Sequence, residues 1–181
     1  SGNLDHLTTG GSNNISIGPN NLTQVTSGDS NIAIGDNALI STTSGRSNIG
    51  IGTTLAANVD GNNNVAVGDD ALTKANSTWN VAIGKNAYEL GTGGSNTIIG
   101  GTNSLWYGSG DGNVAIGANS NYKNQSLTTF TNTTAVGFSS YASGNNSVSL
   151  GVSSTASNTD SIAIGNGTNA SGETAIALGN L

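Results

Sequence analysis

The chain has few of the residues from which globular cores and catalytic sites are usually built. Its 181 residues include no cysteine, no methionine, one proline and one histidine, and aromatic residues make up only 4%. The absence of cysteine excludes disulfide bridges and thiolate metal ligands. Glycine, asparagine, serine and threonine fill most positions, and without a repeat such a composition is typical of disordered, low-complexity segments.

Charge is also scarce. Charged residues make up 8% of the chain, the net charge is −6, and the four basic residues are dispersed along the sequence. Because nucleic-acid binding needs a clustered basic surface, we expect no nucleic-acid partner. No apolar run approaches the ~20 residues of a membrane-spanning helix, so we expect no direct membrane insertion by this fragment.

What the chain does contain is a short repeat: asparagine, aliphatic, small residue, aliphatic, glycine. It reads Asn64-Val65-Ala66-Val67-Gly68 in one copy, and the chain holds eleven copies in all, with variations. A fixed short period along a whole chain predicts a solenoid in which each coil stacks on its neighbours. We therefore predict an all-β parallel β-roll of about eleven coils without helices. The closing glycines are Gly18, Gly35, Gly52, Gly68, Gly84, Gly100, Gly117, Gly137, Gly151, Gly165 and Gly179.

The two aliphatics of each copy lie two residues apart and therefore share one face of a strand. We predict that this face fills the interior of the roll, and that the small residue between them faces identical chains around a common axis. The predicted roll core comprises Ile32, Ile34, Val65, Val67, Val81, Ile83, Val114, Ile116, Ile162 and Ile164. The predicted trimer interface comprises Ala33, Gly50, Ala66, Ala82, Ala115, Ala135, Ala163 and Ala177.

Two further features of the repeat carry structural predictions. Ala-Leu pairs three and four residues after the glycine, such as Ala38-Leu39 and Ala71-Leu72, are expected to form the opposite wall of the interior. The signature asparagine shares its strand face with the small residue. It either forms a ladder or a set of axis-facing rings, or is an asparagine tolerated in a turn.

The segment Ser161-Ile162-Ala163-Ile164-Gly165-Asn166-Gly167-Thr168-Asn169-Ala170 closely resembles the head repeat of YadA-type trimeric autotransporter adhesins. The resemblance implies a left-handed parallel β-roll assembled as a homotrimer. It also implies an extracellular position at the bacterial surface, attached to the outer membrane through an anchor outside this chain. The earlier coils have 16 or 17 residues and also resemble repeats of phage tail fibres. A virion tail fibre is therefore the alternative source.

The predicted organisation has a leader or cap at residues 1–11 and one repeat domain at residues 12–181. Within that domain we expect coils of 16 or 17 residues to about residue 117, a longer coil over 118–137, and 14-residue coils over 138–181. We read the chain as a fragment of a longer protein.

Catalysis is not expected. His6 precedes the first coil, and a regular coil does not offer the acid and nucleophile positions that a histidine-based triad needs. Asp69 and Asp70 are adjacent, so as strand neighbours their side chains diverge, and they read as a solvated corner rather than a glycosidase pair. The calcium-binding repeat of other β-solenoids is absent, so no chain-encoded metal site and no cofactor are predicted.

Recognition is expected where the repeat is irregular, because loops on a rigid scaffold commonly carry binding. The predicted ligand-binding residues are Trp106, Tyr107, Tyr122, Lys123 and Phe130, and Trp79 is a further unusual aromatic. The alternative is that these aromatics fill the roll or the interface. The function predicted is a non-enzymatic attachment module that binds a host surface, a matrix protein or a glycan. The alternatives are a tail-fibre receptor-binding or shaft segment, and a purely structural spacer.

Overall fold

A computed structural model describes residues 11–54, 60–74, 76–105, 109–121 and 129–180. These residues contain strands and turns but no helix, and they form a parallel β-solenoid of about nine turns. The predicted all-β solenoid is therefore confirmed. The strands are β1 (Ile15–Ile17), β2 (Ile32–Ile34), β3 (Ile49–Ile51), β4 (Val65–Val67), β5 (Val81–Ile83), β6 (Thr97–Ile99), β7 (Val114–Ile116), β8 (Thr134–Val136), β9 (Tyr141–Ala142), β10 (Val148–Leu150), β11 (Thr155–Ala156), β12 (Ile162–Ile164), β13 (Asn169–Ala170) and β14 (Ile176–Leu178).

The signature copies align in one 11-stranded parallel sheet, in the order β1-β2-β3-β4-β5-β6-β7-β8-β10-β12-β14. Equivalent signature positions pair directly, so Gly50 lies opposite Ala66 and Ile51 opposite Val67. The short strands β9, β11 and β13 form a second, 3-stranded sheet in the 14-residue coils. Because each strand has only three residues or fewer, stacking on adjacent coils supplies nearly all of its hydrogen bonds.

The predicted orientation of the signature strand is wrong. The small residues are buried within their own chain: Ala33, Ala66 and Ala82 each have 0% exposure. Their aliphatic neighbours point outward and are partly exposed, with Ile83 at 38%. The correction applies to the whole predicted core set, each member of which is half-buried or exposed: Ile32, Ile34, Val65, Val67, Val81, Ile83, Val114, Ile116, Ile162 and Ile164. It applies equally to the predicted interface set, which is buried in its own roll apart from half-buried Ala177: Ala33, Gly50, Ala66, Ala82, Ala115, Ala135, Ala163 and Ala177.

The physical reason is the narrowness of the interior. A Cβ added at Gly50 would lie 2.6 Å from the Thr54 hydroxyl oxygen and 3.1 Å from Cγ of Leu39. Both contacts are tighter than ordinary van der Waals packing. Around Gly50 the facing wall approaches the strand so closely that only a small side chain fits between them, and the larger aliphatics point outward. Buried Ile98, in the middle of β6, is the one inward-facing position of these strands that holds a large side chain.

The opposite wall is formed by the Ala-Leu pairs, as predicted. Leu39 and Leu72 are fully buried, and both have a left-handed backbone, with φ of 55°. That backbone conformation costs an L-residue ~1–2 kcal/mol of free energy. Burial of the leucine side chain contributes ~1.5–3 kcal/mol of stability and so offsets the cost. Tyr88 takes the same position in its coil. Its hydroxyl donates to the Gly93 carbonyl oxygen at 2.9 Å and accepts from the Asn96 side chain at 2.9 Å.

The signature asparagines form an internal ladder. The Asn48 side-chain oxygen accepts from the backbone nitrogen of Asn64 at 3.1 Å and from its Nδ2 at 3.1 Å. Nδ2 of Asn48 in turn donates to the Gly61 carbonyl oxygen at 2.8 Å. This pattern satisfies buried polar groups that would otherwise cost stability. The ladder runs through Asn14, Asn31, Asn48, Asn64, Asn80, Asn96 and Asn113, and ends where Thr133 bonds to Asn113.

Candidate functional site

The outer side of the 11-stranded sheet, here called the aliphatic face, is a continuous surface of the described residues. It consists of the first and third residues of each of the eleven strands. Because the strands pair in register, these residues form two continuous columns. Strand spacing of ~4.8 Å makes the face ~50 Å long. Exposure reaches 52% at Ile17 and 69% at Leu178.

The aliphatic face carries no charge. Its positions are occupied by isoleucine, valine and leucine, with threonine at Thr97 and Thr134. Contiguous apolar patches of this size are rare on soluble monomers and mark interaction surfaces. The sequence predicted the residues that share this face, but assigned the face to the interior.

Charged groups lie at the corners. The Lys85 ammonium nitrogen lies 3.5 Å from a carboxylate oxygen of Asp69, and both side chains are more than half exposed. A hydrogen bond from the Thr53 hydroxyl, together with the charge of Lys85, lowers the pKa of Asp69 below its usual range. Asp70 follows at a left-handed turn position. An exposed, ion-paired carboxylate of this kind is typical of a solvated corner.

The described part of the chain offers no metal centre, since no group of three or more histidine, aspartate or glutamate side chains converges there. Nor does any helix in that part have the length and apolar character to cross a membrane. His6 lies outside the described residues.

Four of the five predicted ligand-binding residues, Trp106, Tyr107, Tyr122 and Lys123, also lie outside the described residues. The fifth, Phe130, is only 1% exposed and packs in the interior. Its backbone carbonyl oxygen accepts from Nδ2 of Asn113 at 3.0 Å. Phe130 is therefore a core residue, and its assignment to ligand binding is wrong. It occupies a corner position that most other coils fill with glycine, and its ring turns inward.

Two aromatics that were not among the predicted binding residues are exposed in the structure. Trp79 is 65% exposed and precedes β5, and Phe138 is 54% exposed and follows β8. Both lie at corners of the roll beside a strand of the aliphatic face. A signal was available for Trp79, since the equivalent position of most other coils is asparagine, serine, aspartate or threonine. No such signal was available for Phe138, because the residue type at its position varies freely from coil to coil.

The C-terminal coils match a known family. Residues 131–154 and 156–181 each match the YadA head domain repeat. These two copies and the parallel β-solenoid fit a YadA-type head, as the resemblance of Ser161–Ala170 predicted. Comparison with curated proteins and with solved structures gave no significant match.

Proposed function

We propose that the chain is a non-enzymatic head module of a trimeric surface adhesin, in which three copies pack through their aliphatic faces and bind a surface receptor by multivalent contacts. The aliphatic face is the observation that carries this proposal. It is long, regular and uncharged. Removing its apolar surface from water would contribute a favourable free energy of ~25 cal/mol per Å². The YadA head repeats at residues 131–154 and 156–181 support the adhesin assignment.

The interior of the roll also favours assembly. It holds alanines, buried asparagines and serines, and roughly one leucine or tyrosine per long coil. A core with so little apolar volume contributes limited stability, as in other small domains. Packing three aliphatic faces around one axis adds apolar burial that a single roll lacks. The rows of Ala33 and Ala66 lie inside each roll, so they take no part in this contact.

The experiment is a comparison of molar mass by light scattering. Ile83→Glu puts a charge in the middle of the aliphatic face, and Thr92→Glu puts the same charge at an exposed position further along the chain, outside that face. We expect the wild type and Thr92→Glu to have about three times the 17.8 kDa chain mass, and Ile83→Glu to dissociate. A stable folded wild-type monomer at micromolar concentration rules out the trimer.

Adhesion itself is tested separately, by binding of the purified trimer to immobilised matrix proteins, to glycans and to host cells. We propose an extracellular location at the bacterial outer membrane, through an anchor elsewhere in the parent chain. Trp106, Tyr107, Tyr122 and Lys123 stay candidate receptor contacts. Alanine at these positions should weaken binding and leave the trimer intact.

A spacer or tail-fibre shaft is the second candidate, and the regularity of the corners favours it. Corner backbones of successive coils hydrogen-bond to one another, as in Asn63 to Arg46 and Ser95 to Thr78. Such uniform corners present little shape for a specific partner. A trimer that binds no matrix protein, glycan or cell supports the spacer. Genes flanking the coding sequence distinguish a bacterial adhesin from a phage fibre.

A further inference from the structure

Trp79 occupies a position where the fold requires no aromatic. It lies two residues before β5 and has a left-handed backbone, with φ of 64°. The equivalent residues of the adjacent coils are Asn63 and Ser95, both with φ of 57°. A bulky residue in this conformation is an outlier, and such outliers concentrate at functional sites.

Burial does not compensate for this conformation. Leu39 and Leu72 also have left-handed backbones, but their side chains are completely buried in the interior. Trp79 is 65% exposed, the highest value among the described aromatic side chains. Its indole nitrogen makes no hydrogen bond to the described residues, so its N–H remains available as a donor. The ring therefore contributes little to the folded roll and leaves a flat apolar surface in water.

The backbone below the ring is fixed by the coils on both sides. The backbone nitrogen of Trp79 donates to the carbonyl oxygen of Asn62 at 3.1 Å. The carbonyl oxygen of Thr78 accepts from the nitrogen of Ser95 at 3.0 Å. The next residue, Asn80, belongs to the buried asparagine ladder. The indole is consequently attached to a rigid scaffold, which reduces the entropy lost when a ligand binds.

The surface beside the ring is small and polar. In the next coil, ~4.8 Å away, the residue equivalent to Trp79 is the exposed Ser95. In the coil after that, the equivalent residue is Gly112. Asp111, also exposed, holds this corner through one carboxylate oxygen, which accepts from the Gly94 nitrogen at 2.6 Å. The other carboxylate oxygen makes no hydrogen bond to the described residues. The equivalent positions of the next two coils are thus small, and hydroxyl, amide and carboxylate side chains lie along the same corner of the roll.

We propose that Asn63, Trp79, Ser95 and Asp111, here called the Trp79 ledge, bind a neutral hexopyranose of a glycan. The negative face of an indole attracts the C–H groups on the apolar side of a pyranose ring. Ser95, Asn63 and the Asp111 carboxylate supply donors and acceptors for the hydroxyl groups around the ring. A combination of a flat apolar platform and a few polar groups is the usual make-up of small-ligand sites.

Charge selects neutral sugars over acidic ones. The chain has a net charge of −6, and Asp111 belongs to the ledge itself. Arg46, the basic residue two coils before Trp79, lies 3.6 Å from the Asp29 carboxylate. Lys85 likewise lies 3.5 Å from the Asp69 carboxylate. The ledge residues themselves include no cation to pair with a sialic acid carboxylate or a sulfate.

This inference rests on the proposed function and specifies one ligand class for it. In a trimer the three ledges surround one axis, so weak sites gain avidity when they engage the same glycosylated surface. Each single site is expected to be weak, because one exposed ring buries little surface.

The test uses the purified chain on an array of immobilised oligosaccharides ending in galactose, N-acetylglucosamine or mannose, with sialylated and sulfated forms of each. We expect binding to at least one neutral terminus and at least tenfold less binding to its acidic forms. Trp79→Ala should reduce that binding at least tenfold, and Trp79→Phe should retain more of it. The matched control is Phe138→Ala, which removes the other exposed aromatic of the described residues and should bind like wild type.

Light scattering and thermal unfolding of each variant accompany the array. The proposal is overturned by wild-type binding in Trp79→Ala, by absence of any neutral-glycan binding, or by loss of the trimer in Trp79→Ala, which would place the indole in a contact between copies. Adhesion to host cells or matrix protein that persists in Trp79→Ala leaves the proposed function standing and rejects only the ledge.

Discussion

Leu39 and Gly50 face each other across the interior of the roll, so closely that a single added carbon at Gly50 would lie 3.1 Å from the leucine Cγ. One residue comes from the wall that follows a closing glycine, and the other from a signature strand of the next coil. Their separation sets the width of the interior. It also determines that the signature strand turns its small residue inward.

Gly50→Ala should therefore destabilise the roll by ~1–3 kcal/mol, the usual cost of overpacking a tight interior. Thermal unfolding followed by circular dichroism measures it. Leu39→Ala alone should cost ~2–5 kcal/mol through the cavity it leaves. Because the two positions are in contact, the double variant should be more stable than the sum of the single effects predicts. Strict additivity would show that Leu39 does not limit the space at Gly50.

Ala82→Leu and Val81→Ala should affect different properties. Ala82 has 0% exposure inside its own roll, so a leucine there overpacks the interior and should lower the melting temperature even when the chain is monomeric. Val81 points outward and is half-buried. Its truncation should leave the fold of the roll nearly unchanged and weaken self-association. Melting curves and light scattering over a dilution series separate the two effects, and an unchanged melting temperature for Ala82→Leu would contradict the inward orientation.

The asparagine ladder should be sensitive to single substitutions. Asn64→Ala removes the side-chain bonds to Asn48 and to the Ser77 carbonyl oxygen, and leaves two donors of Asn80 without their acceptor. Leaving buried polar groups unpaired costs ~1–3 kcal/mol for each group. We expect a loss of at least ~2 kcal/mol in the free energy of unfolding.

The control for the ladder is Asn62→Ala, since Asn62 is half-buried and its side chain accepts one exposed bond, from the Arg46 nitrogen. That variant should lose no more than ~1 kcal/mol. Equal losses in the two variants would show that burial of the ladder adds nothing.

Alkaline pH should destabilise the fold through Tyr88. Burial, opposed only in part by the hydrogen bond to Gly93, raises the pKa of Tyr88 well above its ordinary value of ~10. Below that ordinary value the phenol is neutral in both states, and the stabilisation is fully present. As the pH rises above it, the unfolded chain ionises first, so stability falls.

Tyr88→Leu restores the side chain found at the equivalent Leu39 and Leu72 and removes the titrating group. Its stability should fall less steeply between neutral and strongly alkaline pH than that of the wild type. The measurement is urea unfolding across that pH range. Parallel pH profiles for the two proteins would show that Tyr88 does not titrate with unfolding.

The repeat predicted the class of fold and the strand register because period and hydrogen bonding are linked. Residues such as Val65 and Val81 recur at a fixed spacing, and parallel stacking is the arrangement that aligns them. The period did not reveal which face is inside. Alternation shows that Val65 and Val67 share a face, but the inside is decided by the distance to Leu39 and its equivalents on the facing wall.

The candidate site was less predictable for a related reason. Irregular residues stand out in a repeat whether they point inward or outward. Phe130 and Trp79 both break the pattern, yet Phe130 is 1% exposed and Trp79 is 65% exposed. Direction depends on local backbone conformation and on free space in the neighbouring coils, neither of which a single coil's sequence encodes.

The asparagine ladder ends at Thr133, so the bonding between neighbouring coils changes at that point of the rod. On one side, neighbouring coils are held together by amide side chains that bridge them as well as by the sheet. On the other, Ser147 and Ser161 take the place of the amide, and the Ser147 hydroxyl has no hydrogen-bond partner among the described residues. A fibre pulled along its length by an attached surface would yield first where neighbouring turns lack these side-chain bridges. We expect amide protons after Thr133 to exchange with solvent sooner than those of the ladder, and tension to open the rod from that side.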